Sequence, residues 1–584
     1  MQLAAEWPER VTHLALIAPG VRMSGGPRTD LATFHAEPAD TEGWNKYNAV
    51  HWRRNYRDFV EFFCRQITNE PHSTKQIEDT ISWGLGTTPE TLIATIDESA
   101  TPRAAEFAAA ICCPVLIIHG TQDAVVPLEN AAALHEAIPH SILARLEGSG
   151  HGAAGRGPVK VNLLLHEFLG SLPVRERPWR HALTRRSKRA LFVSSPIGLG
   201  HAQRDVAIAD ALRQLVPDLE IEWLAQDPVT RVLLERGEHI HPMSVELANE
   251  SGHIESECGE HDLHAFQAWR RMDEILLANF LVFYDAVKDA RYDLWMADEG
   301  WDIDYYLHEN PELKTAPYVW LTDFVGWLPV DRHEAWLTAD YNAEMLAHIE
   351  RFPRVRDRAL FVGNPDDIVP ATFGPDLPRI REWTEANFAF PGYIQYFDPQ
   401  RYTDQAALRA RLGFAPDERI VLAAVGGTAV GRSLLQRIIQ SFPEARRHVA
   451  ELRLIVVAGP RIEPDSLPHA KGVEVRGYVP NLYEYLAACD LALVQGGLST
   501  TMELVATGRP FLYFPLHRHF EQTFHVPHRL ANYGVSPEAR MDFAEATPER
   551  LSERVVAALT RAPAYRPIEM GGAMAAARLI AELL

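Results

Sequence analysis

Short runs of apolar residues alternate with longer amphipathic segments from residue 189 to the end of the chain. The runs predict strands at 189–195, 219–225, 291–298 and 317–323, and then at 419–427, 452–459, 473–480, 491–497 and 510–515. Strands that alternate with helices form parallel sheets covered on both faces. The pattern predicts an α/β fold with two doubly wound, Rossmann-like domains in tandem, at 189–395 and 396–584, with an aperiodic stretch at 363–400 near their boundary.

The first 170 residues contain fewer such runs. ICCPVLIIHG at 111–120 ends shortly before Asp123, and SILARL at 141–146 is followed by a loop with His151. A carboxylate and a histidine after successive strands are the orienting acid and the base of a nucleophilic triad. HGTQDAVVP and GSGHG resemble the late motifs of the α/β-hydrolases, and the resemblance implies the C-terminal half of that fold over residues 1–170.

The nucleophile that this resemblance implies has no counterpart in the sequence. MQLAAEWPERVTHLALIAPG is similar to the helix and strand that follow the family's G-x-S-x-G elbow, and no such motif lies between Met1 and Asp123. We therefore interpret Asp123 and His151 as remnants of a triad, which disfavours the alternative of hydrolase or acyltransferase activity. Either the gene model starts late or a fusion carries a degenerate half-domain.

Composition and charge restrict the class of partner. The net charge of −21 at pH 7 disfavours nucleic acid, because phosphate neutralisation needs an excess of basic residues. The basic segment 171–188 predicts a linker, interpreted as a solvated tether or, alternatively, as a peripheral contact with an anionic membrane. No apolar run reaches the roughly 18 residues of a membrane span. Five cysteines without metal-ligand spacing predict reduced, buried thiols and favour a cytoplasmic protein.

A glycine loop with a histidine follows the first strand of this α/β region. SSPIGLGH carries Gly198, Gly200 and His201 ahead of a helix predicted at 202–215. Functional loops lie at the carboxyl ends of parallel strands. The edge that holds this loop should also receive side chains that follow later strands, namely Asp298, Glu299 and Asp323.

The second α/β region contains two turns suited to an anion. In QGGLSTTMEL, glycines and hydroxyls stand at a helix N-terminus, where backbone N–H groups and the helix dipole favour negative charge. The motif predicts a diphosphate site made by Gly496, Gly497, Ser499 and Thr500, with Glu503 about one turn later. A second turn beside it is predicted from Gly426, Gly427 and Thr428.

The run RGYVPNLYEYLAACDLALVQGGLSTTMELVATGRPFLYFPLHRHFEQ resembles the donor-binding segment of two-Rossmann-domain (GT-B) glycosyltransferases. It is similar to the UDP-glycosyltransferases of small natural products and to the N-acetylglucosaminyltransferase of peptidoglycan assembly. The resemblance implies roles for Tyr478 on the base, Asn481 near the nucleoside, Ser499 and Thr500 on the diphosphate, Glu503 on the ribose, and Glu521 with Gln522 on the sugar. Gln495 stands where many relatives have histidine, and Glu521 replaces the usual aspartate.

SSPIGLGH resembles the acceptor-side loop of the same family, in which glycines such as Gly198 and Gly200 let the acceptor approach, and His201 is the candidate general base there. We expect the helix N-terminus to keep it neutral and Asp298 to orient it; the alternative is a loop that only cradles the acceptor. Asp302-Ile303-Asp304 is interpreted as a solvated acidic segment, so no metal site is predicted.

Together these features predict an inverting, metal-independent hexosyltransferase. It would use a nucleoside-diphosphate sugar as co-substrate without another cofactor, and a small-molecule or lipid acceptor. The resemblance implies that the donor is UDP-linked. The alternatives are hydrolase activity and a sugar-nucleotide-binding or epimerase-like protein.

Overall fold

A computed structural model describes residues 1–21, 23, 30–98, 104–170, 187–449 and 451–584. The chain forms two compact units, Met1–His181 and Ala182–Leu584, which are described separately. The linker predicted at 171–188 lies almost wholly outside the described residues, and its interpretation stays a prediction.

The first unit contains a three-stranded parallel sheet and nine helices among its described residues. In chain order they are α1 (Gln2–Glu6), β1 (Leu14–Ile17), α2 (Leu31–His35), α3 (Ala49–Ile67), α4 (Thr74–Leu85), α5 (Pro89–Glu98), α6 (Ala104–Ala110), β2 (Val115–Gly120), α7 (Leu128–Ala137), β3 (Ser141–Leu146), α8 (Ala153–Arg156) and α9 (Pro158–Phe168). The strand order is β1-β2-β3. β2 lies in the middle and is buried along its whole length, which explains its unbroken apolar sequence.

The second unit begins with a seven-stranded parallel sheet. Its elements are β4 (Lys188–Ser194), α10 (Leu199–Leu215), β5 (Leu219–Leu224), α11 (Val229–Glu235), β6 (His239–Ile240), α12 (Glu250–Glu257), α13 (Ala265–Arg270), α14 (Asp273–Lys288), β7 (Leu294–Asp298), α15 (Trp301–Glu309), β8 (Tyr318–Thr322), α16 (Ala335–Arg351), β9 (Arg358–Val362), α17 (Ile380–Asn387) and β10 (Ala389–Gly392). The order is β10-β9-β8-β7-β4-β5-β6. The helix predicted at 202–215 begins three residues earlier, so Gly200 and His201 lie in its first turn.

A five-stranded parallel sheet follows in the same unit. Its elements are α18 (Gln405–Arg411), β11 (Arg419–Ala424), α19 (Arg432–His448), β12 (Leu452–Val457), β13 (Val473–Arg476), α20 (Leu482–Ala488), β14 (Leu491–Gln495), α21 (Leu498–Ala506), β15 (Phe511–Phe514), α22 (Val526–Asn532), α23 (Pro548–Leu559) and α24 (Gly572–Ala581). The order is β13-β12-β11-β14-β15. The last helix, α24, packs against α10 and the strands β9 and β10, so the chain returns to the first sheet.

The predicted fold class is confirmed by these two doubly wound sheets and by the partial sheet of the first unit. Strand order reverses direction beside β4 in the first sheet and beside β11 in the second. Loops leave such a point on opposite faces and open a crevice at the carboxyl ends of the strands. The topology therefore places the loops after β4, β7, β11 and β14 where a ligand is expected to bind.

Two further findings concern the cysteines and the helices. Cys64 and Cys489 are buried thiols, whereas Cys112 is exposed, so the expectation of burial is wrong for that residue. Cys112 follows the end of α6 and precedes β2, outside the sheet interior. Among the described residues, no helix combines the length and the apolar character that crossing a bilayer requires.

Candidate functional site

The two sheets of the second unit meet at a cleft between the N-termini of α10 and α21. The approach is close: a Cβ atom added at Gly200 would lie 2.0 Å from Ser499 Oγ, and one at Gly427 would lie 3.1 Å from Leu199 Cγ. Gly200 was predicted to let an acceptor approach. In the structure its missing side chain lets the two helix ends come together.

The cleft gathers nearly all residues that the sequence predicts for the site. Those that line it are Gly198, Gly200, His201, Gly426, Gly427, Thr428, Tyr478, Asn481, Gln495, Gly497, Ser499, Thr500, Glu503, Glu521 and Gln522. The empty space in the cleft, including the part that is open to solvent, is about 1320 Å³.

Gly496 and Asp298 lie outside the lining. A Cβ atom at Gly496 would stand 3.1 Å from Pro515 Cα and 3.2 Å from Gln522 Oε1, which shows a packing role for this glycine. Asp298 is fully buried at the end of β7, behind His201.

His201 belongs to a buried charge network. Its Nδ1 lies 3.0 Å from Asp298 Oδ2, the contact that the sequence predicts, and 2.8 Å from Arg204 Nη2. Arg204, one turn along α10, donates to Asp298 at 2.7 and 2.5 Å and also to Asp323. Glu299 Oε2 lies 3.9 Å from His201 Nε2. With Nδ1 engaged by Asp298, Nε2 is the nitrogen of His201 that can meet a substrate proton.

The protonation state of His201 differs from the expectation. Burial and the Arg204 charge oppose protonation, but the carboxylates Asp298 and Glu299 outweigh them and raise the pKa of His201 to about 9. The prediction that the helix dipole keeps this imidazole neutral is therefore wrong, because the adjacent carboxylates have the larger effect on its pKa. Burial opposes ionisation of Asp298 too, yet Arg204 and His201 hold its pKa well below the usual range.

Glu503 on α21 has a partner that the sequence did not indicate. Burial raises the pKa of Glu503 to about 7. Tyr396 donates its hydroxyl to Glu503 Oε1 at 2.7 Å and also lines the cleft. The Tyr396 ring packs edge-on against Phe397 and Tyr483. It lies in the aperiodic stretch between β10 and α18, where no pattern singles out one tyrosine.

Arg204 was not predicted as a site residue, although its position in the sequence indicates such a role. It follows His201 by three residues and therefore shares its helix face. A basic residue at that position beside predicted strand-end acids is the expected counter-charge.

The predicted sugar-binding pair is partly engaged within the protein. Gln522 Oε1 accepts a hydrogen bond from the backbone N–H of Leu516 at 2.9 Å. The amide NH2 group of Gln522 is left for a ligand. Burial raises the pKa of Glu521 to about 8, and the neighbouring acids Asp323 and Glu299 add to the effect. Glu521 is thus mainly protonated at neutral pH and can donate as well as accept.

The predicted nucleoside end of the cleft contains Tyr478, Asn481 and Gln495. Tyr478 donates its hydroxyl to Glu235 Oε2 at 3.0 Å, across to α11. Asn481 caps α20 with a left-handed backbone conformation, φ 53°. Gln495 Oε1 is buried and has no hydrogen-bond partner among the described residues, which points to a ligand donor there.

The acidic segment after β7 is buried, so the expectation that it is solvated is wrong. Asp304 pairs with Arg356 Nη2 at 2.6 Å, and Asp302 is only 7% exposed. The reason is that α15, which carries both, packs against α14 and α16.

Ligand atoms of His201, Glu299 and Asp323 lie within 4.8 Å of one another, a spacing that suits a metal ion. Arg204 already donates to Asp323 and stands 3.8 Å from Glu299 Oε1. The guanidinium supplies positive charge at this cluster, and the absence of a metal requirement stays a prediction.

The first unit brings its predicted pair together. His151 Nδ1 lies 2.8 Å from Asp123 Oδ2, and Asp123 Oδ1 accepts from the backbone N–H groups of Val125 and Val126. His119, which the sequence did not single out, lies 3.2 Å from the same carboxylate. Although burial opposes ionisation, both histidines hold the pKa of Asp123 well below its usual range. Its status as a remnant stays a prediction.

Two family models match the chain. Residues 421–583 match the glycosyltransferase family 28 C-terminal domain, and residues 94–177 match the TAP-like protein family of the α/β-hydrolases.

Several similar proteins are glycosyltransferases by name. An uncharacterized glycosyltransferase, MK0977 of Methanopyrus kandleri, is 25% identical over 223 residues, which are 37% of this chain and 60% of that protein. The UDP-N-acetylglucosamine–N-acetylmuramyl-(pentapeptide) pyrophosphoryl-undecaprenol N-acetylglucosamine transferase of Acidothermus cellulolyticus is 32% identical over 123 residues, 19% of this chain and 33% of that one. The spinosyn rhamnosyltransferase SpnG superposes over 68% of this chain and 95% of its own, with a TM-score of 0.41 and 16% identity.

The match of the second family model coincides with the segment that holds the partial sheet and the Asp123–His151 pair. The match of the glycosyltransferase family 28 model coincides with the second sheet, which supplies Glu503 and the N-terminus of α21 to the cleft. Residues 421–583, which include nearly all of the second doubly wound sheet, therefore match a glycosyltransferase family 28 C-terminal domain, and residues 94–177 of the same chain match a TAP-like segment.

Proposed function

We propose that the protein transfers a hexosyl group from a nucleoside-diphosphate sugar to an acceptor hydroxyl. The observation that carries this proposal is the cleft in which the N-termini of α10 and α21 meet beside the His201–Asp298 pair. One cleft thus combines an anion site with a group that accepts a proton, the two requirements of glycosyl transfer from a diphosphate.

The donor would lie mainly on the second sheet. Ser499 and Thr500 at the start of α21 would bind the diphosphate, and Glu503 would accept hydrogen bonds from the ribose hydroxyls. A UDP-linked donor is supported by the name of the Acidothermus cellulolyticus relative, which is 32% identical over 123 residues. The chain spans 60% of the length of the Methanopyrus kandleri relative, so the activity itself remains a proposal.

The transfer step would be a single displacement. Nε2 of His201 takes the proton of the acceptor hydroxyl, whose oxygen forms the new bond to the anomeric carbon. The bond from that carbon to the diphosphate oxygen breaks, and the nucleoside diphosphate leaves with the electron pair. Attack opposite the leaving group inverts the anomeric centre. Because the neighbouring carboxylates raise the pKa of His201 to about 9, its imidazole must first release a proton to the solvent.

Charge on the leaving diphosphate would be balanced without a metal. The helix N-termini and their N–H groups stabilise an anion, and the imidazolium formed when His201 takes the acceptor proton adds positive charge nearby.

The test is product analysis with the full chain. UDP-glucose and UDP-N-acetylglucosamine are incubated with a panel of hydroxyl acceptors, with and without a chelator, and products are identified by mass spectrometry and NMR. We expect equal amounts of nucleoside diphosphate and an inverted glycoside, unaffected by chelation. A changed sugar without transfer, or binding without any product, would overturn the proposal in favour of an epimerase-like or binding protein.

A further inference from the structure

Gln203 is a residue of the cleft that has no part in the transfer proposed above. It lies in the second turn of α10 and lines the cleft together with Ser499 and Glu503. Its Oε1 is buried and has no hydrogen-bond partner in the described part of the chain. A buried carbonyl oxygen without a partner costs free energy, so this position indicates a ligand group that donates a hydrogen bond.

Helix geometry places Gln203 beside the segment that would bind the donor. Residues three or four positions apart share a helix face, so Gln203 follows Gly200 on α10 and Glu503 follows Ser499 on α21. The two faces meet, since a Cβ atom added at Gly200 would lie 2.0 Å from Ser499 Oγ. Gln203 and Glu503 therefore continue the same junction, one turn further along each helix.

The chemistry of a nucleoside-diphosphate sugar limits the group that can serve this oxygen. The diphosphate is ionised at neutral pH and has no hydrogen to donate. The base is predicted at Tyr478, which contacts Glu235 of α11 rather than α10. The reacting carbon of the sugar would lie at His201, and residues two positions apart do not share a helix face, so Gln203 turns away from it. The hydroxyls of the ribose remain.

Glu503 leaves room for a second acceptor at the ribose. Tyr396 donates its hydroxyl to Glu503 Oε1 at 2.7 Å, so Oε2 is the oxygen of this carboxylate that keeps its full accepting capacity. The ribose of a nucleotide sugar has two hydroxyls, at C2′ and C3′, and each donates one hydrogen bond. Glu503 Oε2 and Gln203 Oε1 match that number.

We propose that Gln203 Oε1 accepts a hydrogen bond from one ribose hydroxyl while Glu503 accepts from the other, so that the enzyme uses ribonucleotide sugars and rejects 2′-deoxyribonucleotide sugars. This inference rests on the proposed function for the placement of the donor. It adds a specificity-determining residue from the first sheet, on α10. A deoxyribose lacks one of the two hydroxyls and leaves one of the two acceptors without a partner, which is the basis of strong rejection by such sites.

The first experiment measures nucleotide binding without an acceptor. Isothermal titration of the full chain compares UDP with 2′-deoxy-UDP and 3′-deoxy-UDP, and GDP with its two deoxy forms. It is done at about pH 8, where Glu503 is mainly ionised because its pKa is about 7. We expect each missing hydroxyl to weaken binding by at least about tenfold, since it leaves a buried acceptor unpaired.

The decisive variant is Gln203→Met, which replaces the amide with an apolar group of similar length. One of the two losses should shrink to less than about twofold, while the loss that belongs to Glu503 persists. Gln214→Met, which changes an exposed glutamine of the same helix, should retain both losses. If Gln203→Met binds no nucleotide, Gln203→Ala gives the same comparison.

Three binding results would overturn the inference. They are equal binding of ribonucleotides and deoxynucleotides, two losses that both persist in the Gln203 variants, and no binding of any nucleotide, which would refute the proposed function as well. A loss that disappears in Gln495→Met instead would also overturn it, since Gln495 Oε1 lines the cleft and has no partner among the described residues.

The second experiment measures transfer from UDP-glucose and from its 2′-deoxyuridine analogue. A ribose preference in binding without any transfer would leave this inference standing and refute the proposed function. Equal transfer from both donors would refute the inference and leave the function standing.

Discussion

Removing one hydroxyl, in Tyr396→Phe, should weaken donor binding in a way that depends on pH. The Tyr396 hydroxyl donates to Glu503 Oε1 at 2.7 Å and stabilises the carboxylate against burial. Glu503 must be ionised to accept from the ribose hydroxyls. Because its pKa is about 7, donor affinity should fall in the native protein as the pH falls through about that value.

The size of the effect follows from the lost contact. A hydrogen bond to a charged group contributes about 1.5 to 3 kcal/mol. At about 1.36 kcal/mol for each pKa unit, its loss moves the midpoint from about 7 to about 8 or 9. At pH 7 the ionised fraction then falls from about one half to a few per cent, so donor affinity should drop about 5- to 50-fold. The difference should shrink as the pH rises.

The assay is titration of UDP-glucose at several values from about pH 6 to about pH 8.5, a range in which its diphosphate diester stays ionised. Tyr402→Phe is the matched control, since Tyr402 packs in the same aromatic cluster and contacts Glu484 instead. Equal pH profiles for the native protein and Tyr396→Phe would refute the reasoning. A uniform loss of affinity at every pH would mean that the tyrosine contacts the donor directly.

Three other predictions concern the two units. Gly200→Ala should lower the free energy of unfolding by about 1–3 kcal/mol, and with it the melting temperature, because the added Cβ overlaps Ser499. Gly426→Ala should leave both unchanged, since its Cβ would have no atom within 4 Å, and calorimetry measures the difference. The first unit should not hydrolyse activated esters, and turnover that Asp123→Asn abolishes would contradict this. His201→Ala should keep donor affinity and lose transfer about 10²- to 10⁴-fold, and a loss confined to acceptor KM would instead indicate a cradle.

The strands were predictable because each sheet buries both of its faces. β7 and β14 are buried at every position, so their sequences are continuous apolar runs that end in a polar residue at the functional edge. The turn at the start of α21 was predictable because its glycines and hydroxyls follow the apolar run of β14 directly in the sequence. The resemblance supplied the roles of the cleft residues.

What depends on long-range contacts was not predictable. Tyr396 reaches Glu503 across 107 positions of sequence, and no local pattern distinguishes it from other tyrosines. The return of α24 to the first sheet leaves no periodic signal either. The charge on His201 depends on carboxylates about 97 residues away, whereas the helix dipole, which is local, suggested the opposite.

That charge leads to a specific expectation for the pH dependence of transfer. A base works only when neutral, so kcat/KM should rise with pH toward about 9, the pKa of His201 in the free protein, rather than level off near 6.5. A bound donor adds negative charge nearby, which favours the imidazolium and should move the limb of kcat to a still higher pH. Asp298→Asn removes the carboxylate that stabilises the imidazolium, so the limb of kcat/KM should move down while the maximal rate falls, since the tautomer is no longer fixed. A limb that stays in place in Asp298→Asn would show that another group takes the proton, and Glu299, 3.9 Å from His201 Nε2, would be the next residue to replace.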